Sequence, residues 1–164
     1  MTQKPQLIVA LDVDTLGEAE KLVNTLAPLV DIFKVGSQLF TACGPTAVKR
    51  IMNLGKKVFL DLKYHDIPNT VSFSTSGAVV LNIKRGAENL IEENPGLFML
   101  TVHTAGGKEM LEAAVKASQQ KAAELKVKKP FIIGVTVLTS EEKQDNMHQL
   151  GLQSPLWAKE AGLA

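Results

Sequence analysis

The sequence contains little cysteine and no long apolar run. Cys43 is the only cysteine among 164 residues, which excludes an internal disulfide and favours a reducing compartment. The longest apolar stretch, residues 131–138, is interrupted by Gly134 and Thr136 and is far too short to span a bilayer. The apolar stretch 7–11 is also shorter than a signal-peptide core. We therefore expect a cytoplasmic protein that does not enter a membrane.

Charge lacks a dominant sign as well. The 18 basic and 17 acidic residues give a formal net charge of +1, so we expect neither nucleic acid nor an anionic membrane as a partner. Hydrophobic residues make up 45% of the chain and charged residues 21%, which is ordinary for a globular protein. Because no linker or low-complexity segment interrupts this length, the sequence predicts one domain over residues 1–164.

Short apolar strands alternate with helices along the chain. The strands are predicted at residues 7–11, 32–35, 58–60, 97–102 and 131–137. Helical spacing predicts helices at residues 15–29, 45–54, 68–93, 107–127 and 154–163. Thr15 and Glu18 have the spacing of a capping box, and Pro45 and Gly55 mark the start and the end of the second helix.

Five strand–helix repeats predict an α/β fold with a parallel sheet built from βαβ units. An open doubly wound sheet and a closed (β/α)8 barrel both fit this count. No Gly-x-Gly-x-x-Gly pattern follows the first strand, which disfavours a dinucleotide-binding fold.

Polar residues stand where the apolar runs end. In α/β barrels, the carboxyl ends of the strands carry the chemistry. Because several strands deliver charged residues to this edge, the pattern favours a catalytic site over surface decoration. The residues concerned are Asp12, Lys34, Asp61, Lys63, His103 and Thr139.

The densest group of these residues follows the third strand. Asp61 and Lys63 share one face of an extended strand, because side chains alternate with a period of two. Asp66 follows on a loop that can fold back over that face. Two neighbouring carboxylates repel each other, and a lysine between them is held protonated. The pattern predicts a fixed proton donor, and the alternative is a strand-end salt bridge on a solvated loop.

Several segments together resemble one family, orotidine 5′-phosphate decarboxylase. The segments are Ala10-Leu11-Asp12, Phe33-Lys34-Val35-Gly36, and Asp61-x-Lys63-x-x-Asp66-Ile67-Pro68-Asn69-Thr70. Residues 102–107 and 136–140 resemble the family's fourth and fifth strand segments, so the resemblance covers residues 7–163. It implies a (β/α)8 TIM barrel that is truncated after the fifth βα unit.

The resemblance also implies a reaction. A carboxy-lyase of this family decarboxylates orotidine 5′-phosphate to uridine 5′-phosphate in pyrimidine biosynthesis, with no cofactor and no metal ion. By match to the motif, Lys63 stabilises the developing C6 carbanion and then protonates it. Asp61 holds Lys63 and lies near the substrate carboxylate, and Asp66 completes the catalytic group.

Further residues are implied to bind the substrate. Asp12 and Lys34 match residues that bind the ribose hydroxyls, and Thr139 matches a hydroxyl residue beside the pyrimidine. Ile67 and Thr70 belong to the same substrate-binding set. Asp66 and Thr70 match residues that reach into a partner's site, so the resemblance implies a homodimer. The expected role of His103 is structural support of the edge.

The chain departs from the family pattern in two places. The segment between residues 70 and 103 is longer than in compact members, and strands six to eight have no counterpart. The arginine and glutamine that grip the phosphate therefore have no matching position. Because remote binding energy can lower a barrier, we expect kcat/KM to fall by orders of magnitude. We also expect strands one and five to be unpaired edges.

Two alternatives remain open at this stage. The first is a magnesium-dependent sugar-phosphate decarboxylase or aldolase of the same superfamily, with a metal at Asp61 and Asp66. Lys34 argues against it, because a cation at that edge competes with a metal. The second is an inactive fragment that keeps the loop around Asp66 and acts only by association.

Overall fold

A computed structural model describes residues 5–82, 96–136 and 159–163. Its strands are β1 Ile8–Ala10, β2 Ile32–Gly36, β3 Lys57–Tyr64, β4 Leu97–His103 and β5 Phe131–Val135. Its helices are α1 Leu16–Leu26, α2 Ser37–Cys43, α3 Pro45–Asn53, α4 Pro68–Val80 and α5 Gly107–Leu125, with a 3₁₀ turn at Thr104–Gly106. No helix within these ranges is long and apolar enough to cross a membrane.

The strands form a five-stranded sheet in the order β1-β2-β3-β4-β5, so β1 and β5 are its outer strands. The pairs β1–β2, β2–β3 and β4–β5 are parallel. Sequential strands that are parallel need a crossover, and helices occupy each described connection. The predicted α/β fold with a parallel sheet is confirmed.

The chain divides into two compact units, which are described separately. The described residues of the first unit are 5–61 and 96–98, and those of the second are 62–82, 99–136 and 159–163. The division falls between Asp61 and Leu62, inside β3. A single domain over residues 1–164 remains a prediction.

In the first unit, one face of the sheet packs under helices. Phe33, Val35, Val58 and Leu60 alternate along β2 and β3 and are fully buried. The buried helix residues that complete this core are Val23 of α1 and Val48, Ile51 and Met52 of α3. The opposite face of β2 and β3 is thereby left to carry polar groups.

The helix boundaries of this unit follow from local chemistry. The Thr15 hydroxyl oxygen accepts the Glu18 N–H at 3.2 Å, so Thr15 is the N-cap of α1. The Glu18 carboxylate accepts the Thr15 hydroxyl at 2.8 Å, where a capping box would use the Thr15 backbone N–H. Pro45 opens α3, and Gly55 follows it with a φ of 78°. Helix α2 was not predicted, because its N-cap Gly36 offers no side-chain signal.

In the second unit, α4 packs against α5 beside the paired strands β4 and β5. The buried residues include Val71 and Val79 of α4 and Leu111 and Ala114 of α5. The predicted helix 68–93 ends at Val80 within the described residues, and residues 83–95 lie outside them. Helix α5 ends two residues before the prediction, where Lys126 adopts a φ of 53° and ends the helix. Most of the predicted helix 154–163 lies outside the described residues.

Removal of the α1 N-cap tests the local origin of this helix. We expect Thr15→Ala to lower the free energy of unfolding by about 1 kcal/mol, because the Glu18 N–H loses its acceptor. Urea unfolding followed by circular dichroism measures the change. Thr25→Ala is the matched control: its hydroxyl donates to the Lys21 carbonyl at 2.8 Å within the same helix and caps nothing. Equal losses in both variants would contradict the assignment of the cap.

Candidate active site

In the first unit, the predicted site residues Asp12 and Asp61 lie level with each other, on either side of Gly36. Ala10 is paired with Lys34, and Gly36 is paired with Asp61. Asp12, two residues beyond Ala10, is therefore level with Gly36 and Asp61. A Cβ atom at Gly36 would lie 3.6 Å from Asp12 Oδ1, so the Asp12 carboxylate is next to this position. The register thus brings two carboxylates to the same end of the strands.

Lys34 precedes Gly36 by two residues in β2, and its side chain extends toward Asp61. Its Nζ atom is 3.6 Å from Asp61 Oδ2. The Lys34 side chain is 26% exposed and the Asp61 side chain 13%, so both charges are largely removed from water. Gly36, which is paired with Asp61, adds no side chain next to the Lys34–Asp61 ion pair. A partly buried ion pair is weakly screened by salt, so this contact should persist at physiological ionic strength.

In the second unit, the backbone of Lys63 is unusual. Its φ is 50°, in the left-handed region that residues with a side chain rarely adopt. Such a conformation costs roughly 1–3 kcal/mol, and it persists only where the surroundings determine it. Because the backbone leaves the extended region here, the alternation that placed Asp61 and Lys63 on one face no longer fixes the direction of the Lys63 side chain.

Strand β4 holds this segment at two points. The Lys63 N–H donates to the Thr101 hydroxyl oxygen at 2.8 Å. Two residues further along each segment, the His65 ring stacks on the His103 ring, with centroids 5.2 Å apart and planes inclined by 19°. Thr101 and His103 share one face of β4. The chain around Lys63 is therefore fixed on both sides of the strained residue.

His103 also organises the turn that follows β4. Its Nδ1 atom accepts the Ala105 N–H at 3.2 Å, so this nitrogen carries no proton in that contact. A Cβ atom at Gly106 would overlap Met110 Sδ and lie 3.2 Å from His65 Cδ2. These contacts agree with the structural role expected of His103.

The loop after β3 presents its polar residues to solvent. Asp66, Ile67 and Thr70 are exposed, and Asp66 Oδ1 accepts the Ile67 N–H at 2.7 Å. Pro68 opens α4 directly afterwards, because its fixed φ and missing N–H suit the first helical position. Thr139 lies outside the described residues, so the structure does not place it.

Two residues of the second unit were not singled out in the sequence. Thr101 interrupts the apolar run of β4, and a hydroxyl inside a buried strand is the signal that could have identified it. His65 carries no local signal, because its stacking partner lies in another strand. In the described parts of the chain, no group of three or more His, Cys, Asp or Glu side chains is arranged to hold a metal ion.

Tyr64 separates Lys63 from His65 along the chain. Partial burial raises the pKa of the Tyr64 hydroxyl above its ordinary value of 10.0, because the phenolate is less well solvated there. The residue next to Lys63 is thus partly shielded from water.

Parallel strands joined by helices, with charged side chains at the carboxyl ends, are typical of α/β barrel proteins. Solved structures share the fold. An orotidine 5′-phosphate decarboxylase from Lactobacillus acidophilus matches with a TM-score of 0.74 and 30% identity, over 98% of this chain and 69% of that one. An uncharacterised conserved protein from Geobacillus kaustophilus matches with a TM-score of 0.77 and 32% identity, over 95% and 70%. The predicted barrel class is confirmed, and the chain covers part of each structure.

The chain belongs to the orotidine 5′-phosphate decarboxylase / HUMPS family, which matches residues 5–158. Among curated relatives, an orotidine 5′-phosphate decarboxylase from Moorella thermoacetica is 43% identical over 99% of this chain. One from Syntrophomonas wolfei is 39% identical over the whole chain. The chain spans 63% and 67% of the lengths of these two proteins. The resemblance carried by the motif of residues 61–70 is therefore confirmed at the level of the family.

Tyr64 provides a direct test of the burial beside Lys63, because it is the only tyrosine in the chain. We expect the phenolate absorbance to develop with a midpoint above pH 10.0. Since the pKa is raised in the folded state, the stabilisation is complete below the unfolded pKa of about 10 and is lost as pH rises through the folded value. Tyr64→Phe should show no phenolate signal and a smaller alkaline loss of stability. A midpoint at or below the ordinary value would contradict the burial.

Proposed function

We propose that this chain carries the decarboxylation site of an orotidine 5′-phosphate decarboxylase, with Lys63 as the proton donor. The observation that carries the proposal is the left-handed backbone of Lys63, at the lysine of the family's Asp-x-Lys-x-x-Asp motif. Strain at a residue with a side chain is typical of functional positions. Membership of the family and the charged row at the strand ends support the same reading.

The proposed reaction needs one fixed ammonium group and no cofactor. The bond between C6 of the pyrimidine and the carboxylate carbon breaks, carbon dioxide leaves, and the electron pair remains on C6. The Lys63 ammonium stabilises the developing charge, because a preorganised charge in a site shielded from water acts strongly on a transition state. Lys63 Nζ then transfers a proton to C6, which gives uridine 5′-phosphate, and solvent restores the proton on Nζ.

The other site residues have roles that follow from their charges. Asp61 lies two residues before Lys63 in β3. It orients the Lys63 ammonium and lies near the substrate carboxylate. Lys34 forms an ion pair with Asp61 at 3.6 Å and offers further N–H donors to the ribose hydroxyls. The Asp12 carboxylate accepts from the same hydroxyls. Thr139 contacts the pyrimidine, and Ile67 contributes apolar surface beside it.

A second copy of the chain completes the proposed site. Helix α4 buries Val71, Thr75, Ala78 and Val79 inside the second unit. Its exposed side also carries apolar residues, at helical spacing. We call this the α4 outer stripe, and it consists of Ile67, Thr70, Phe73, Gly77 and Val80.

The α4 outer stripe has the properties of an interface. The Phe73 residue is 70% exposed and Ile67 65%, although large apolar side chains gain free energy from burial. A helix that is apolar on both sides is typically covered on both sides. Thr70 belongs to the stripe, Asp66 precedes it directly, and both are exposed, so a partner that covers the stripe would contact both residues. These observations support a homodimer in which Asp66 and Thr70 act in the partner's site.

Replacement of Lys63 tests the proposed chemistry. We expect the purified chain to consume orotidine 5′-phosphate, followed by its absorbance, and Lys63→Ala to lower kcat by at least roughly 10³-fold, because proton donor and charge are both lost. Lys116→Ala, on the exposed side of α5, is the matched control and should retain the wild-type rate. A chelator should have no effect.

Inhibition by the chelator would favour the magnesium-dependent alternative. A folded chain that binds the product uridine 5′-phosphate but shows no turnover would contradict the proposed activity of this chain.

Replacement of Phe73 tests the dimer. We expect Phe73→Asp to raise the dimer dissociation constant by roughly 100-fold or more, because a charge would enter an apolar interface. Sedimentation velocity over a range of protein concentrations measures the change. Leu29→Asp is the control, because Leu29 is 81% exposed and lies in the first unit. A wild-type chain that is monomeric at high concentration would overturn the proposal, as would equal effects of both substitutions.

A further inference from the structure

We propose that Thr101 is a positioning residue for Lys63: its hydroxyl oxygen holds the Lys63 N–H and so selects the backbone conformation from which the lysine side chain departs. This inference rests on the proposed function of Lys63 as the proton donor, and it assigns a role to a residue of a different strand.

The contact itself has the properties of a fixed anchor. Lys63 N lies 2.8 Å from Thr101 Oγ1, well within hydrogen-bond distance. Thr101 is only 1% exposed, so water cannot readily replace its hydroxyl. Its strand is held in turn, because Thr101 is paired with Ile133 of β5. The acceptor is therefore a buried group on a paired strand, in contrast to a solvated side chain on a loop.

The contact bears on the strained torsion. A hydrogen bond to the N–H fixes the peptide plane that precedes Lys63. The stack of His65 on His103 fixes the chain two residues later. Between these two contacts, the backbone has a φ of 50° at Lys63. Without the first anchor, the peptide plane can rotate and Lys63 can relax toward negative φ, which redirects its side chain.

The chemistry of the position separates this role from simple packing. Valine has nearly the shape of threonine but offers no acceptor, whereas serine keeps the hydroxyl and loses a methyl group. Packing alone would make Thr101→Val the milder change. Positioning through the hydroxyl makes Thr101→Ser the milder change, so the two roles predict opposite orders.

The first arm of the test needs no turnover. Amide hydrogen exchange of the ¹⁵N-labelled chain is measured at Lys63 in the wild type, Thr101→Val, Thr101→Ser and Thr104→Val. We expect the exchange at Lys63 to accelerate by roughly tenfold or more in Thr101→Val and to stay near the wild-type rate in Thr101→Ser. Thr104→Val is the matched control, because Thr104 is also 1% exposed and its hydroxyl donates to the Val135 carbonyl at 3.0 Å.

The second arm follows the reaction. We expect Thr101→Val to lower kcat by roughly 10- to 100-fold with little change in KM, since a misplaced donor affects the chemical step. Thr101→Ser should recover most of the rate. Faster exchange at Lys63 with an unchanged kcat would overturn the positioning role. A chain without turnover would contradict the proposed function, and the exchange rates would still test whether Thr101 holds the Lys63 N–H.

Two results of the exchange arm would overturn the proposal: equal protection of Lys63 in the wild type and Thr101→Val, or equal acceleration in Thr101→Val and Thr104→Val. If Thr101→Val does not fold, Thr101→Ala removes the same acceptor and is judged by the same rates. Rapid exchange at Lys63 in the wild-type chain would overturn the proposal without any variant.

Discussion

Parallel pairing in a single register determines where the charged groups of the first unit lie. The pairs Ala10–Lys34 and Gly36–Asp61 bring the ends of β1, β2 and β3 level with one another. Burial of the opposite face, under α1 and α3, leaves these ends as the place for polar side chains. A slip of one residue would turn the charges into the core and the core residues outward, so the hydrophobic packing and the ion pair of Lys34 with Asp61 specify the same register.

In the second unit, specific polar contacts determine the local backbone conformation. They hold Lys63 in a conformation that hydrophobic packing alone would not favour. The hydroxyl of Thr101 and the ring of His103 lie on one face of β4 and engage residues 63 and 65 of the neighbouring segment. Tyr64, which lies between residues 63 and 65, is partly buried, and this burial raises the pKa of its hydroxyl. A proton donor gains from such fixation, because its catalytic effect depends on orientation as well as on charge.

The sequence predicts most of the elements, because their signals are local. Thr15, Pro45 and Gly55 stand at helix ends for reasons that act within a few residues, and the apolar runs identify all five strands. Strand β3 proved longer than its apolar run, because polar residues at its end still take part in the sheet. Helix α2 offered too few residues and no capping side chain.

The candidate site could be predicted only in part. The types and order of Asp61, Lys63 and Asp66 are sufficient to suggest the chemistry and the family. The left-handed backbone of Lys63 could not be predicted, since no local pattern places a lysine there. Its contact with Thr101 joins residues 38 positions apart. The exposed side of α4 also could not be predicted, because both sides of that helix are apolar and the sequence does not tell which side faces solvent.

At residue 63, the stability of the fold and the proposed chemistry favour different residues. Glycine adopts positive φ without strain, so a chain selected for folding alone would favour glycine at residue 63 by about 1 kcal/mol. Procedures that improve proteins by thermal selection, or by design from the backbone alone, would therefore tend to remove this lysine. The proposed reaction therefore requires a lysine at a position where the backbone alone would favour glycine.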